Sequence, residues 1–378
     1  MKRGLIGLFA FALVYPAAAK TIRVPPGGSI RAALDRAASG DIILVAPGTY
    51  REGSPTDLNA LTVTKSGIHL IGLSSPGRPV VLANAGMQQY GIWVSPSDST
   101  GAAQADDEHP PCGRSGTVLK GFSLNGFTVT GFAEHGVHLA CVDGFELSRN
   151  LADGNGVYGL FPVVSRNGAI FDNEVTNTFS DAAIYVGQSD NVSITQNFAH
   201  DSLIGIEVEN SRGCSAVGNR TSGNTVGIIV DILPGLLRTT QERTLVAFNV
   251  VQDNNRTNTG EPGDLISAIP SGTGILLVGA DTTTVLGNHV SGNGFAGIGV
   301  ASVCTGLALL GQPCSGLDID PDADGNRIVG NRLSGNGTVP SPLPIPAADL
   351  VWDGTGAGNC WSGNRYSTSF PPSLPACR

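Results

Sequence analysis

Charge is scarce in this chain of 378 residues: 14% are Asp, Glu, Lys or Arg, where an average globular protein has roughly 25%. That scarcity excludes a coiled coil, a helical bundle and a charge-rich disordered chain. Runs of Lys or Arg are missing and the formal net charge is −9, which disfavours nucleic acid or an anionic membrane as partner. Beyond the first residues no stretch is apolar over the roughly 20 positions that a membrane span requires. A Gly-rich phosphate loop, a Ser-His-Asp set in a familiar frame and a nine-residue Ca²⁺-binding repeat are also missing. What abounds is glycine, at 52 positions, with 23 prolines and 41% hydrophobic residues. That is enough for a sizeable core, and one architecture of this length calls for a repeat.

Residues 1–19 read as a secretory signal peptide. Lys2 and Arg3 precede an apolar stretch from Leu5 to Val14, and Ala17-Ala18-Ala19 supplies small residues for cleavage. Loss of Lys2 and Arg3 would take the net charge from −9 to −11. The expected location is the periplasm or the extracellular space, with no lipid anchor, because no Cys follows the cleavage site.

A frame of Gly or Ala, aliphatic, any residue, aliphatic recurs at Gly136, Gly159, Ala183, Gly205, Gly227, Gly274 and Gly297, with spacings of 23, 24, 22, 22, 47 and 23. Asn150, Asn173, Asn197 and Asn219 keep the same period, and Asn249, Asn288 and Asn331 continue it after insertions. Units of about 22–24 residues with short alternating strands and no helical stretch predict an all-β chain, a single-stranded parallel β-helix of roughly 10 to 12 coils. Alternate aliphatics point into the coil and the residue between them points out. The Asn series suits turns, where Asn tolerates left-handed dihedrals and stacked carboxamides can form a ladder.

Ser29 to Gly40 reads as a short amphipathic helix with Ile30, Ala33, Leu34 and Ala37 on one face and Gly40 as C-cap. It would cover the open end of the solenoid. The expected organisation is a cap and first strand over 20–60, the β-helix over 61–337, and a disulfide-linked lid over 338–378. Seven cysteines in an exported chain leave one unpaired. Nearness favours Cys304 with Cys314 and Cys360 with Cys377, then Cys112 with Cys141. Cys214 should point inward as a buried thiol.

Val45-Ala-Pro-Gly-Thr-Tyr50 after a short helix, followed by such coils, resembles the pectin-lyase-like right-handed parallel β-helix superfamily. Tyr158-Gly-Leu-Phe-Pro-Val-Val-Ser165, Asp181-Ala-Ala-Ile-Tyr-Val-Gly-Gln-Ser189, Gly205-Ile-Glu-Val-Glu-Asn-Ser211 and Ile269-Pro-Ser-Gly-Thr-Gly274 resemble, more closely, exported bacterial parallel β-helix repeat-containing proteins. The resemblance implies the fold and export. It does not imply one activity, since pectate lyases, polygalacturonases, mannuronan epimerases and viral tailspikes share the architecture. The Asp-Pro-His-Asp motif of alginate epimerases is not reproduced by Asp107-Glu-His-Pro110.

The outward positions of the repeated strand are Trp93, His138, Phe161, Tyr185, Glu207, Ile229 and Leu276, with Glu209 and Asp231 two residues further on. Glu209 and Asp231 are one coil apart, so about 4.8 Å separates their Cα atoms, and Glu207 lies about 6.5 Å from Glu209 along its strand. Three acids so close persist when a cation binds, when one stays protonated, or when bases compensate. Ca²⁺ at Glu207, Glu209 and Asp231 suits a preference for several oxygens. Arg166 and Arg212, on turns after the same strands, are candidate bases. His135 and His138, at i and i+3 on a strand, are expected on opposite faces and do not suggest a transition metal. Insertions 95–116, 232–243 and 252–273 should wall a groove on this face.

Two functions follow. One is lyase or C5-epimerase chemistry on an acidic polysaccharide, with Tyr185, Glu207, Glu209, Asp231 and His138 as catalytic candidates and Trp93, Phe161, Arg166 and Arg212 as substrate-binding ones. Hydrolysis by paired carboxylates stays open beside it. The other is a non-catalytic exported protein that binds a glycan or a protein partner.

Overall fold

The alternation of aliphatic and other residues resolves into short strands because each has one face to bury and a turn residue at either end. A computed structural model describes residues 19–101, 106, 108–340 and 344–378, so the expected leader at 1–19 lies almost wholly outside the described residues. The strands form three parallel sheets of 12, 11 and 10 members, each strand pairing with its counterpart one coil away. In the 11-stranded sheet the inward position runs Ile92, Val137, Leu160, Ile184, Ile206, Ile228, Ile275, Ile298 and Leu350 in unbroken register. All of these are buried. A single aliphatic core therefore runs the length of the solenoid.

The corners between sheets are held by side-chain ladders. Asn150 donates its backbone N–H and its Nδ2 to Oδ1 of Asn173, at 3.0 Å each, and the pattern repeats through Asn197, Asn219, Asn249, Asn288, Asn331 and Asn364. Each carboxamide thus satisfies a backbone donor that the corner buries away from any strand partner. The left-handed conformation falls on the residue before each Asn: Arg149, Asp172, Gln196, Gly218, Phe248, Gly287 and Gly330 have φ of 55, 55, 57, 68, 56, 64 and 68°. The Asn thus forms the amide ladder expected of it, while the left-handed dihedral also expected of it falls on its predecessor. A second corner carries Asn224, Asn254, Asn293 and Asn336, and a third carries the hydroxyls of Ser165, Ser189 and Ser211.

At the N-terminal end, α1 (Ile30–Arg36) starts on Ser29, whose side chain accepts from the N–H of Ala32, and stops at Ala37, short of the expected Gly40. Ile30, Ala33 and Leu34 face the core. Thr21–Val24 already pairs with Ile42–Val45, so the first coil begins inside the segment expected to be cap. The C-terminal segment is likewise more than a lid. Ala348–Trp352, Cys360–Ser362 and Ser369–Phe370 extend the sheets, because Leu350 and Trp361 continue the core where proline hides the repeat in sequence. Disulfides join Cys112 to Cys141, Cys304 to Cys314 and Cys360 to Cys377, and Cys214 is a free buried thiol. Burial pushes its pKa up to about 11, so it is inert as a nucleophile at neutral pH.

Two short helices leave the strand ends of the 11-stranded sheet: α2 (Pro111–Ser115), in the insertion after Tyr90–Val94, and α3 (Val303–Leu309), after Ala296–Ala301. Both rise over the outer face of that sheet and shape the site.

Candidate functional site

The outward residues of the 11-stranded sheet stack in two zones. In the first, aromatic rings follow one another along the solenoid: Trp93 on His138 at 3.8 Å between centroids, His138 against Phe161 at 4.6 Å, and Phe161 against Tyr185 at 4.7 Å. Trp93, His138, Phe161 and Tyr185 are at most 1% exposed. The described residues of the insertion after residue 94 roof them, anchored by Cys112–Cys141 and by Trp93 Nε1, which donates to Ser95 Oγ at 2.7 Å. A second contact, between His109 Nε2 and the Gly235 carbonyl at 3.0 Å, ties this roof to the insertion at 232–243. Trp93, His138 and Phe161 therefore do not line a groove, because stacking and desolvation of these rings are better served under cover. His135 also joins the stack, 5.4 Å from His138, and Tyr90–Trp93 and Tyr158–Phe161 repeat this i, i+3 contact. The entry to each of these strands departs from strict alternation, which corrects the expectation of opposite faces.

In the second zone, Tyr185 is followed in register by Glu207, Ile229, Leu276, Gly299 and Val351, and Gly187 by Glu209, Asp231, Val278 and Ala301. Glu207, Glu209 and Asp231 are buried, and one oxygen from each lies within 4.8 Å of the others. Sequence reasoning placed these acids together but on an exposed face; the insertions bury them. The Tyr185 ring leans along its strand so that Oη donates to Glu209 Oε1 at 2.7 Å. It fills the space above Gly187, where a Cβ would clash with the ring and with Oη. Tyr185 thus lies beneath the cleft, outside its lining.

Three groups missed in the sequence complete the cluster. Tyr158 Oη donates to Asp181 Oδ2 at 3.1 Å and is 3.4 Å from Glu108 Oε1, and all three residues line the same cleft. Tyr158 and Asp181 lie 23 residues apart, one coil, the arithmetic that joined Glu209 to Asp231. They escaped because they stand at strand entries, where alternation had not been followed.

Burial raises the pKa of Glu207, Glu209 and Asp231 well above the usual carboxylate range, and neighbouring carboxyls raise it further: Asp181 and Asp231 beside Glu207, Asp231 and Glu108 beside Glu209, and Asp181 beside Asp231. Asp181 is pushed up to about 7, again chiefly by burial, while hydrogen bonding to Glu207 and Tyr158 opposes the rise. Both tyrosines are raised well above their ordinary value by burial. A bond between Asp181 and Glu207 exists only when one of them holds a proton. Glu207 Oε2, Asp231 Oδ1 and Asp181 Oδ1 are buried with no hydrogen-bond donor facing them. Such oxygens are satisfied by protons or by a cation, and the oxygens of Glu207, Glu209 and Asp231 have the hardness and spacing that suit Ca²⁺, whose oxygen distances are about 2.4 Å.

The expected compensating bases are elsewhere. Arg166 pairs with Asp143 at 3.0 Å and Arg212 with Asp190 at 2.9 Å, both on the 12-stranded sheet. The turn after each site strand carries the chain around the corner, so these guanidinium groups face away. Among the described residues no Lys or Arg lines the cleft.

The cleft holds about 1010 Å³, its open mouth included. Beyond the acids it becomes aliphatic, with Ile229, Leu276 and Val278 on the floor and Leu265, Ile269 and Leu309 in the walls. The wall made by α3 belongs to an insertion after residue 301 that sequence reasoning had not assigned to the site.

Residues 135–311 match the family model for a right-handed β-helix region. Similar solved structures include the A-modules of two mannuronan C-5 epimerases from Azotobacter vinelandii. One is 15% identical with a TM-score of 0.57, over 90% of this chain and 95% of that one; the other is 16% identical with a TM-score of 0.55, over 89% of each chain. A DFA-IIIase variant from Arthrobacter chlorophenolicus is 12% identical with a TM-score of 0.50, over 95% of this chain and 88% of that one. The protein is a right-handed parallel β-helix. No curated protein matches it by sequence. At such identities the likeness of this right-handed β-helix to these structures concerns the fold alone.

Proposed function

We propose that the protein is an exported, cation-dependent enzyme that removes the proton at C5 of uronate residues in an acidic glycan. The outcome is β-elimination or C5 epimerisation. The observation that carries this reading is the buried set Glu207, Glu209 and Asp231, with partnerless oxygens and no base beside them, next to the Tyr158–Asp181 pair. Glu207, Glu209 and Asp231 would hold the cation. A bound Ca²⁺ supplies the positive charge for a substrate carboxylate, a charge that no described side chain in the cleft provides.

Asp181, with a pKa of about 7, is poised as general base for the C5 proton. Tyr158 keeps its proton at neutral pH and, 3.1 Å from Asp181, lies on the same side of the substrate as the base, where it can deliver the proton to the leaving oxygen in elimination; epimerisation would need a proton returned from the opposite face of C5. Tyr185 holds Glu209 in place. The mannuronan C-5 epimerases of similar fold act on an acidic glycan, which supports the substrate class, and three disulfides fit an oxidising compartment.

The test is purified protein on alginate, pectate and other acidic glycans, with Ca²⁺ or chelator. Absorbance reports unsaturated products, reducing ends report hydrolysis, and proton exchange at C5 reports epimerisation. Turnover should need the cation, and Asp181→Asn should abolish it while leaving Ca²⁺ binding intact. Absence of turnover on every substrate would refute the enzymatic reading and leave glycan binding.

A further inference from the structure

The aliphatic half of the cleft is unlike a surface that holds sugars. From Glu207 to Val351 the floor crosses five strands, a run of about 19 Å, over Ile229, Leu276 and Gly299. The 3₁₀ turn Leu265–Ala268 and α3 close over it from two sides and touch each other, for a Cβ on Gly306 would lie 3.1 Å from Leu265 Cδ2. The polar side chains here are already engaged within the protein. Asp353 accepts from the Ser302 N–H, from Thr305 Oγ1 and from Thr355, and Ser302 Oγ donates to the Pro321 carbonyl. A hydroxylated ring seated on this floor would lose its hydrogen bonds to water and gain none, at a cost of a few kcal/mol for each buried hydroxyl. An aliphatic chain loses nothing and is drawn in by burial of its methylenes.

The channel is continuous with the acid cluster, so whatever fills it also presents a head to Glu207, Glu209 and Asp231. The two ends complement two parts of one molecule: an uncharged tail in the channel, and a sugar whose charge is met at the carboxylates through a cation. We propose that the substrate is an acylated or otherwise lipid-bearing acidic glycan, its aliphatic chain lying along Leu276 between α3 and the 265–270 segment. This rests on the cation-dependent reading of the acid cluster and narrows its substrate class.

The test uses the whole protein and alkyl glucuronides from methyl to dodecyl, below their micelle concentrations, with Ca²⁺ present. Affinity should tighten about fourfold for each added methylene, the factor that corresponds to burial of one CH₂. Leu276→Gln should flatten that dependence and leave Ca²⁺ binding, read by terbium luminescence, unchanged. Leu309→Gln, on the more exposed side of α3, serves the same purpose with less risk to folding. Equal affinity for methyl and dodecyl glucuronide, with Ca²⁺ binding intact, would overturn the inference and leave the cation site standing. A chain-length dependence with no Ca²⁺ binding would support the channel and refute the cation reading. A concentration-dependent dimer that excludes the dodecyl probe would show that a second copy of the chain occupies the channel, and would also overturn the inference.

Discussion

Glu209 accepts a hydrogen bond from Tyr185 and lies beside Asp231, so removing its charge should change stability as well as cation binding. A folded-state pKa raised above the unfolded value means that the folded protein holds protons which the unfolded chain has released above roughly pH 4. With chelator present, stability should therefore be greatest in acid and fall as pH rises through the elevated range of Glu207, Glu209 and Asp231. For Asp181 the window runs from about pH 4 to about 7. Glu209→Gln should make this fall shallower, raise the melting temperature at about pH 8 relative to wild type, and abolish the stabilisation by Ca²⁺. Melting curves across about pH 5 to 8, with and without Ca²⁺, check all three; chelated wild-type protein that gains stability with rising pH would refute the assignment. The acids themselves were legible from the 22-residue period. Their burial was not, because it depends on loops whose course no period describes.

Among the elements, the roof over the aromatic stack is the one with a covalent anchor. Cys112–Cys141 closes a segment of 29 residues, a loop whose closure stabilises by about 3.5 kcal/mol in the chain-entropy model. Cys112→Ser should lower stability by up to that amount. It should also let water reach Trp93, which is 1% exposed, and so shift tryptophan emission to the red. An unchanged emission maximum in the variant would mean that the hydrogen bonds of Ser95, Ser99 and His109 hold the roof unaided. The pairing at 112 and 141 was the weaker expectation in the sequence, since 29 residues separate these cysteines against 10 and 17 in the other two pairs. Trp93, His138 and Phe161 stand on one outward line as expected, but they are buried, whereas Trp93 and Phe161 had been taken for substrate-binding residues and His138 for a catalytic one, because alternation gives a side chain's direction and says nothing of what later covers it.

At the scale of the whole molecule, the repeat revealed the architecture because every coil must fill the same cross-section, and the ends were hardest to read because there the repeat meets solvent. The cap helix was legible from its amphipathic face; the last coils were hidden by proline. Ile30→Ser with Leu34→Ser should lower stability by about 3 kcal/mol or more and expose the core layer around Ile43, giving concentration-dependent association by sedimentation; a monomer with an unchanged melt would rule out a protective role for α1. The asparagine ladder has a consequence for the molecule's polarity. Every carboxamide from Asn150 to Asn331 donates from Nδ2 to the Oδ1 of the next coil's Asn, so that the oxygens face the previous coil, and the same Nδ2 also donates to a backbone carbonyl of that previous coil. The stack is a head-to-tail array of dipoles, positive toward the C-terminal end, and each bond polarises its neighbours. The parallel stack from Asn224 to Asn336 ends on a carboxylate, Asp349, which accepts Asn336 Nδ2 at 2.9 Å and the N–H of Ser367 at 2.8 Å. An anion thus closes the positive pole of that array, as acidic side chains do at the start of an α-helix, and the solenoid has an electrical direction as well as a geometric one.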